Sequence, residues 1–271
     1  MNEHLRANRE MWDDRAPVHA ASAGYGLARY ASDPAHLSDV VRFDLPRLGD
    51  LRGLDVVHLQ CHLGTDTLSL ARLGARATGL DFSAPALEAA RALAPEVRFV
   101  QADVHDAVEV LGAASYDVVF TGVGALCWLP SAARWAQVVA GLLRPGGRLH
   151  LREGHPVLWS LDDERGDGVL ALEHPARTMP EPLAWTGSGT YVDVPGPLTT
   201  RTSYEWNHSL AEVVTALLDA GLRLTLLVEH DSVPWEALPG LMEELPGGEW
   251  RLRDRPERLP HSYTLQAVKP G

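Results

Sequence analysis

The stretch that decides the fold is Leu54-Asp55-Val56-Val57-His58-Leu59-Gln60-Cys61-His62-Leu63-Gly64-Thr65-Asp66-Thr67-Leu68-Ser69-Leu70-Ala71-Arg72-Leu73-Gly74-Ala75-Arg76-Ala77-Thr78-Gly79-Leu80-Asp81-Phe82-Ser83. A short apolar run gives way to polar residues and a glycine, an amphipathic segment closes on Gly74, and a second apolar run ends in an acid. That succession reads as strand, helix, strand. The loop after the first strand of such a unit opens a helix, whose free N–H groups and dipole face a polar ligand over the strand ends. Gly64 is expected to permit close approach there, and Asp81, at the tip of the second strand, can accept hydrogen bonds from both hydroxyls of a ribose. Asp81 follows Gly64 by 17 residues, near the spacing of about 20 in nucleotide-binding units.

These residues resemble the class I S-adenosylmethionine-dependent methyltransferases. The family's first motif runs acid, apolar residue, then Gly-x-Gly-x-Gly; here it is His58-Leu59-Gln60-Cys61-His62-Leu63-Gly64, so the acid and two of three glycines are replaced. Later matches keep the family's order. Val100-Gln101-Ala102-Asp103-Val104 ends a third apolar run in an acid, Tyr116-Asp117-Val118-Val119-Phe120-Thr121 looks like the fourth strand, and Leu143-Arg144-Pro145-Gly146-Gly147-Arg148-Leu149 looks like the turn into the fifth. The resemblance covers residues 40 to 155 well and the rest in outline. It implies an α/β fold with a doubly wound, mostly parallel seven-stranded sheet, the Rossmann-like methyltransferase fold, and S-adenosylmethionine as cofactor. By the same resemblance Asp81 holds the ribose, Asp103 reaches the adenine amino group, and the Gln60 to Gly64 loop lies near the methionine part. The implied cofactor-binding set is Tyr25, Leu59, Gln60, Cys61, Gly64, Asp81, Phe82, Ser83, Asp103, Val104 and Thr121.

The 271 residues fit one large domain with an elaboration, and 45% hydrophobic content is enough for a sizeable core. A formal charge of −12, from 36 acids and 24 bases, argues against nucleic acid, which needs clustered Lys and Arg. A small-molecule substrate is favoured. Lys269 is the one lysine, which points to coding bias more than to function. The first residues lack an apolar run and no stretch is long enough to span a bilayer, so no membrane association and a cytoplasmic location are expected, as monomer or homodimer. Only Cys61 and Cys127 are present, which excludes a disulfide framework and a four-cysteine zinc site. Cys61 reads as a small buried residue under the ligand.

Residues 1–50 read as an N-terminal helical lid and 51–271 as the methyltransferase domain. Leu5, Asn8, Met11 and Trp12 share a helical face, and Pro17 is expected to stop that helix. Tyr25 either offers its hydroxyl to the cofactor's carboxylate or packs at the surface. Ala35 to Leu48 reads as a helix, and Ser83-Ala84-Pro85-Ala86 as a capped helix start. From 157 to 206 periodicity fails amid prolines and glycines, with strand-like pieces at Gly189 to Asp193 and Thr200 to Trp206; this reads as an antiparallel cap inserted after the fifth strand. Ser209-Leu210-Ala211-Glu212 is a capping box, Leu222 to Glu229 and His261 to Val268 are strands, and the segment between them is a second irregular excursion.

Methyl transfer requires alignment, exclusion of water and, for a phenol, alcohol or ammonium acceptor, removal of a proton. The fold would bring His19, Glu153, His155, His208 and Glu205 toward the carboxyl edge of the sheet. His155 is the first choice of base because it leaves the fifth strand beside the expected methyl group and because histidine titrates near neutrality. Glu153 reads as an orienting residue and His208 as a base or a polar wall. Tyr204, Trp206, Trp185 and Tyr191 could line an aromatic pocket. His58 and His62 invite a metal, but no third and fourth ligands stand at metal spacing, so none is expected. Other readings are a different reaction of the sulfonium, such as cyclisation or elimination, a binding-only protein, and an NAD-dependent oxidoreductase, which is disfavoured because Gln60 and His62 crowd the loop where a pyrophosphate needs bare glycine.

Overall fold

The computed structural model describes residues 3–271 apart from 164, 166, 188, 193–197 and 201. Three helices lead the chain: α1 (Glu3–Ala21), α2 (Leu27–Ser32) and α3 (Asp39–Leu48). Pro17 lies inside α1 instead of ending it. A proline there removes a hydrogen bond and crowds the carbonyl four residues back, at a cost of about 3 kcal/mol. Packing overrides that cost, since Met11, Ala16 and His19 are buried and Asn8 and Asp14 tie α1 to residues 199–204. The third helix starts at Asp39, later than expected, because Ser38 caps it by accepting the Val41 N–H at 3.2 Å.

The organising unit forms β1 (Asp55–Leu59), α4 (Thr65–Arg72) and β2 (Arg76–Asp81). After it come α5 (Ala84–Leu93), capped by Ser83, then β3 (Arg98–Gln101), α6 (Ala107–Leu111), β4 (Tyr116–Thr121), α7 (Ala132–Leu142) and β5 (Leu143–Gly154). The cap region holds a hairpin of β6 (Leu183–Thr186) and β7 (Thr202–Glu205). The chain returns through α8 (Leu210–Asp219) and β8 (Arg223–His230), adds a second hairpin of β9 (Met242–Leu245) and β10 (Glu249–Leu252), and closes with β11 (Ser262–Val268).

Strand order in the seven-stranded sheet is β3-β2-β1-β4-β5-β11-β8. The first five strands are mutually parallel and β11 alone runs against its neighbours. Alternation along the central strands sends Val57, Leu59, Val119, Leu149 and Leu151 into a core with α7 and α8. Val56, Val118 and Phe120 face the opposite way, toward α3 and α4. Chain direction across the sheet reverses between β1 and β4, and in such sheets ligands bind outside the carboxyl ends at that switch point.

Three details depart from the sequence reading. The hairpin partner of β7 is Leu183–Thr186; Gly189 to Val192 is not a strand, and Asp193 lies outside the described residues. The excursion between β8 and β11 contains a hairpin. Ser209 caps α8 by accepting the Glu212 N–H at 3.2 Å, but the Glu212 carboxylate bonds the Thr178 hydroxyl instead of reaching back, because residue 178 packs over the helix start.

Candidate active site

The loop after β1 is built with unusual backbone. Gln60 has φ 56° and His62 φ 48°, beside Gly64 at φ 74°. The chain thus keeps left-handed backbone at the alternate positions where the family motif has glycine, at a strain of about 1–3 kcal/mol per non-glycine residue. Gly64 itself does not open space for a ligand: a Cβ there would sit 2.9 Å from Ala90 and from the Phe99 ring. Its bareness lets β3 and α5 pack against the loop, the part the third glycine takes in dinucleotide folds. Leu59 is fully buried in the core, and Cys61 is buried beside β2, its Sγ 2.8 Å from where a Cβ on Gly79 would lie.

Asp81 ends β2 in position to serve that loop. Its Oδ2 accepts the His62 N–H at 2.9 Å and its Oδ1 the Ser83 N–H at 2.8 Å. Burial pushes its carboxyl up to about 6, against the pull of those two N–H groups. A carboxylate offers about four acceptor directions, so capacity remains for a pair of hydroxyls.

A narrow gap opens beside Asp81, lined by Leu5 and Asn8 of α1 and by Gln60, Phe82, Asp103, Val104, Trp128 and Leu129. Asp103 Oδ1 accepts both the His105 N–H and its ring Nδ1, each at 2.9 Å. Burial raises this carboxyl, but the His105 bonds outweigh burial and hold it below the usual range. Among the described residues its Oδ2 has no hydrogen bond, leaving an acceptor at the rim of a mostly apolar slot. An open acceptor at an apolar slot fits a purine whose exocyclic amine donates to it.

Among the described residues, Thr121 Oγ1 at the end of β4 and Gln60 Oε1, both buried at the switch point, also lack partners. The other end of the Gln60 amide donates to Ala125 O at 2.9 Å. An unpaired buried polar atom costs about 1–3 kcal/mol, so a pair of them facing one edge suits a polar ligand that completes them. The polar atoms left open at this edge suit the groups of S-adenosylmethionine.

The first helix and the cap roof this edge. Asn8 grips the Tyr204 backbone of β7 through both amide atoms, at 2.7 and 2.8 Å. Trp12 packs edge-on against His62 and Trp128. His19 bonds His62 Nε2 at 2.9 Å through Nδ1 and Thr190 Oγ1 at 2.7 Å through Nε2, while the Tyr25 hydroxyl meets that of Tyr191 at 2.5 Å. Burial depresses His19 to about 4 and His62 to about 3, so both stay neutral near pH 7. Sequence reasoning missed two polar residues here. Asp66, in the first turn of α4, faces Gly122 and His58 and is pushed up to about 6 by burial. Arg15 of α1 lies half-buried under the cap, its Nε without a hydrogen bond among the described residues. Neither lies in a sequence pattern that marks it for a site.

Glu153, His155 and His208, singled out for chemistry, are committed to the protein's own hydrogen bonds. Glu153 accepts four backbone N–H groups, from Gly124 (2.6 Å), Gly154 (2.8 Å), Ala125 (2.9 Å) and Leu126 (2.8 Å), which fills its acceptor directions and fixes the loop after β4. His155 meets Glu229 at 3.0 Å through Nε2 and accepts the Val157 N–H at 3.2 Å through Nδ1. His208 joins Thr178 Oγ1 to Leu129 O, each at 2.7 Å. Glu205 of β7 differs: among the described residues its carboxylate has no hydrogen bond. No group of three or more His, Cys, Asp or Glu among the described residues could hold a metal ion, and none of their helices is long and apolar enough to cross a membrane.

Comparison with known proteins accords with this geometry. Residues 56–147 match the model of a methyltransferase domain. The chain is 30% identical over 246 residues to a ubiquinone biosynthesis O-methyltransferase of Xanthomonas euvesicatoria, covering 88% of this chain and 85% of that one. A similar fold occurs in a structure described as an S-adenosylmethionine-dependent methyltransferase from Listeria monocytogenes, with TM-score 0.61, 19% identity and coverage of 86% and 97%. The DhpI complex with S-adenosylhomocysteine is also alike, with TM-score 0.54, 19% identity and coverage of 99% and 97%. The chain belongs to the class I S-adenosylmethionine-dependent methyltransferases.

Proposed function

We propose that the chain transfers the methyl group of S-adenosylmethionine to a hydroxyl oxygen of a small aromatic molecule. The observation that carries the reading is the roofed edge itself: orphaned polar atoms of Gln60 and Thr121 under aromatic walls from Trp12 and Trp128. The O-methyltransferase name of the Xanthomonas relative supports oxygen as the acceptor atom. When bound, the cofactor supplies an electrophilic methyl carbon on a sulfonium. Asp81 and Asp103 then hold the nucleoside, Gln60 and Thr121 complete their hydrogen bonds on it, and the roof of α1 excludes water. Glu153 acts as a positioning residue, because its four bonds set the loop carrying Cys127 and Trp128. His155 and His208 fix the neighbouring segments in the same way.

The test is incubation with methyl-labelled S-adenosylmethionine and catechol. A labelled methyl ether formed one for one with S-adenosylhomocysteine is expected. Methylthioadenosine without S-adenosylhomocysteine would contradict the reading and favour an elimination or cyclisation.

A further inference from the structure

Two oppositely charged residues lie under the roof without touching. Arg15 on α1 and Glu205 on β7 feel each other's charge, yet no ion pair or hydrogen bond joins them among the described residues. Arg15 donates from Nη2 to Gly189 O at 3.0 Å, and its buried Nε has no hydrogen bond among the described residues. Glu205 is placed by its neighbours on both sides. Tyr204 is clamped by Asn8, and the Trp206 N–H donates to Cys127 O at 2.8 Å, in the loop after β4 that also receives Gln60. On the same face of the hairpin, two registers away, the Trp185 Nε1 is, like the Arg15 Nε, a buried polar atom without a hydrogen bond among the described residues.

Burial of opposite charges is tolerable when they pair, and leaving them apart is costly. A polar molecule between them removes the cost. Resting on the O-methyl reading above, we propose that Arg15 and Glu205 bound the acceptor site and that Glu205 is the catalytic base. The acceptor's O–H proton passes to the Glu205 carboxylate, its oxygen bonds the methyl carbon, and the C–S electron pair stays on sulfur, leaving a neutral thioether. Arg15 stabilises the negative charge that develops on the oxygen, and Glu205 returns its proton to water after release.

The surroundings suit that role. Burial pushes the Glu205 carboxyl up to about 7, with Arg15 opposing and Asp163 assisting; Cys127 lies alongside and Tyr191 faces Arg15. A base near neutrality is matched to a phenol, whose ordinary pKa is about 10, far better than to an aliphatic hydroxyl.

The experiment measures catechol binding to the full chain loaded with S-adenosylhomocysteine, then turnover with S-adenosylmethionine. Glu205→Ala and Arg15→Met should each weaken catechol at least tenfold while S-adenosylhomocysteine affinity stays within twofold. Glu205→Gln should lower kcat by about 100-fold or more and remove the rise of kcat/KM through pH 7, and Glu205→Asp should restore part of the rate. Catechol binding that ignores both substitutions, absence of catechol binding by the unaltered protein, or a Glu205→Gln enzyme with unaltered kcat and pH profile overturns the proposal. Failure of the unaltered protein to bind S-adenosylhomocysteine contradicts the cofactor reading instead, and this proposal falls with it.

Discussion

The flank of the sheet around β5 and β11 and the edge above β1 and β4 bury the same kinds of polar residue and treat them differently. On the flank, Arg152 forks onto Glu249 at 2.9 and 2.8 Å, Glu249 also accepts the Ser232 hydroxyl at 2.7 Å, and Ser262 donates to Ser232 O at 2.6 Å. Asp44 lies 3.1 Å from His150 and accepts the Thr264 hydroxyl, also at 3.1 Å. At the edge, Gln60 Oε1, Thr121 Oγ1 and Arg15 Nε have no hydrogen bond among the described residues, and two non-glycine residues hold left-handed backbone. The flank leaves Arg152 Nε, Asp44 Oδ2 and His150 Nε2 open in the same sense, but on groups whose charges are paired within the protein; the edge's open atoms have no such partner and lie beside strained backbone, as suits a place where a ligand binds.

That contrast breaks most visibly on the flank. Glu249→Ala leaves the Arg152 guanidinium buried and uncompensated, and urea unfolding should show a loss of about 3–5 kcal/mol. S-adenosylhomocysteine affinity of the folded fraction should not change, and a large affinity loss would blur the two regions. The reverse holds for Asp81→Asn. Hydrogen bonds to charged groups contribute about 1.5–3 kcal/mol, so calorimetry should show affinity down by about 10- to 100-fold. The Asn amide keeps one of the two backbone N–H bonds that Asp81 accepts and loses the other, so the fold should lose about 1–3 kcal/mol, less than in Glu249→Ala.

The same group sets the pH response. Asp81, raised to about 6, is the ionised acceptor above that pH and takes a proton below it. S-adenosylhomocysteine affinity should therefore fall on acidification below pH 6, by up to about tenfold per pH unit, and Asp81→Asn should flatten that slope. The smallest effect sharpens the backbone side of the contrast. At Gln60 the usual order of residues should invert: both Gln60→Ala and Gln60→Gly lose the bond to Ala125 O, but alanine keeps a Cβ in left-handed backbone. Thermal or urea unfolding should find the glycine variant more stable by about 1 kcal/mol.

Much of the framework was legible because its signals are local. The alternation of Asp55 to Leu59, the Gly64 and Gly74 boundaries and the acid closing β2 each follow from short-range rules, and the strands and helix lie where those rules put them. What escaped depended on contacts distant in sequence. Pro17 stays helical because Asn8 and Asp14 reach nearly 200 residues ahead to the cap. Leu183 to Thr186 was not read as a strand because it lies among prolines and glycines, and its pairing with β7 joins residues distant in sequence. Glu153 looked available for chemistry because nothing in its sequence neighbourhood shows the four N–H groups of residues 124–126 and 154 that surround it. Arg15 carried no signal because the segment it bonds lies 174 residues away in the chain.

The central claim is that the edge between β1 and β4 is the cofactor site, and a crystal structure of the protein with S-adenosylhomocysteine tests it most directly. The account predicts the ribose hydroxyls on Asp81, the adenine between Phe82, Asp103 and Val104, and Gln60 and Thr121 bonded to the ligand. A ligand seated elsewhere, with Gln60 Oε1 and Thr121 Oγ1 still unpartnered, would contradict it.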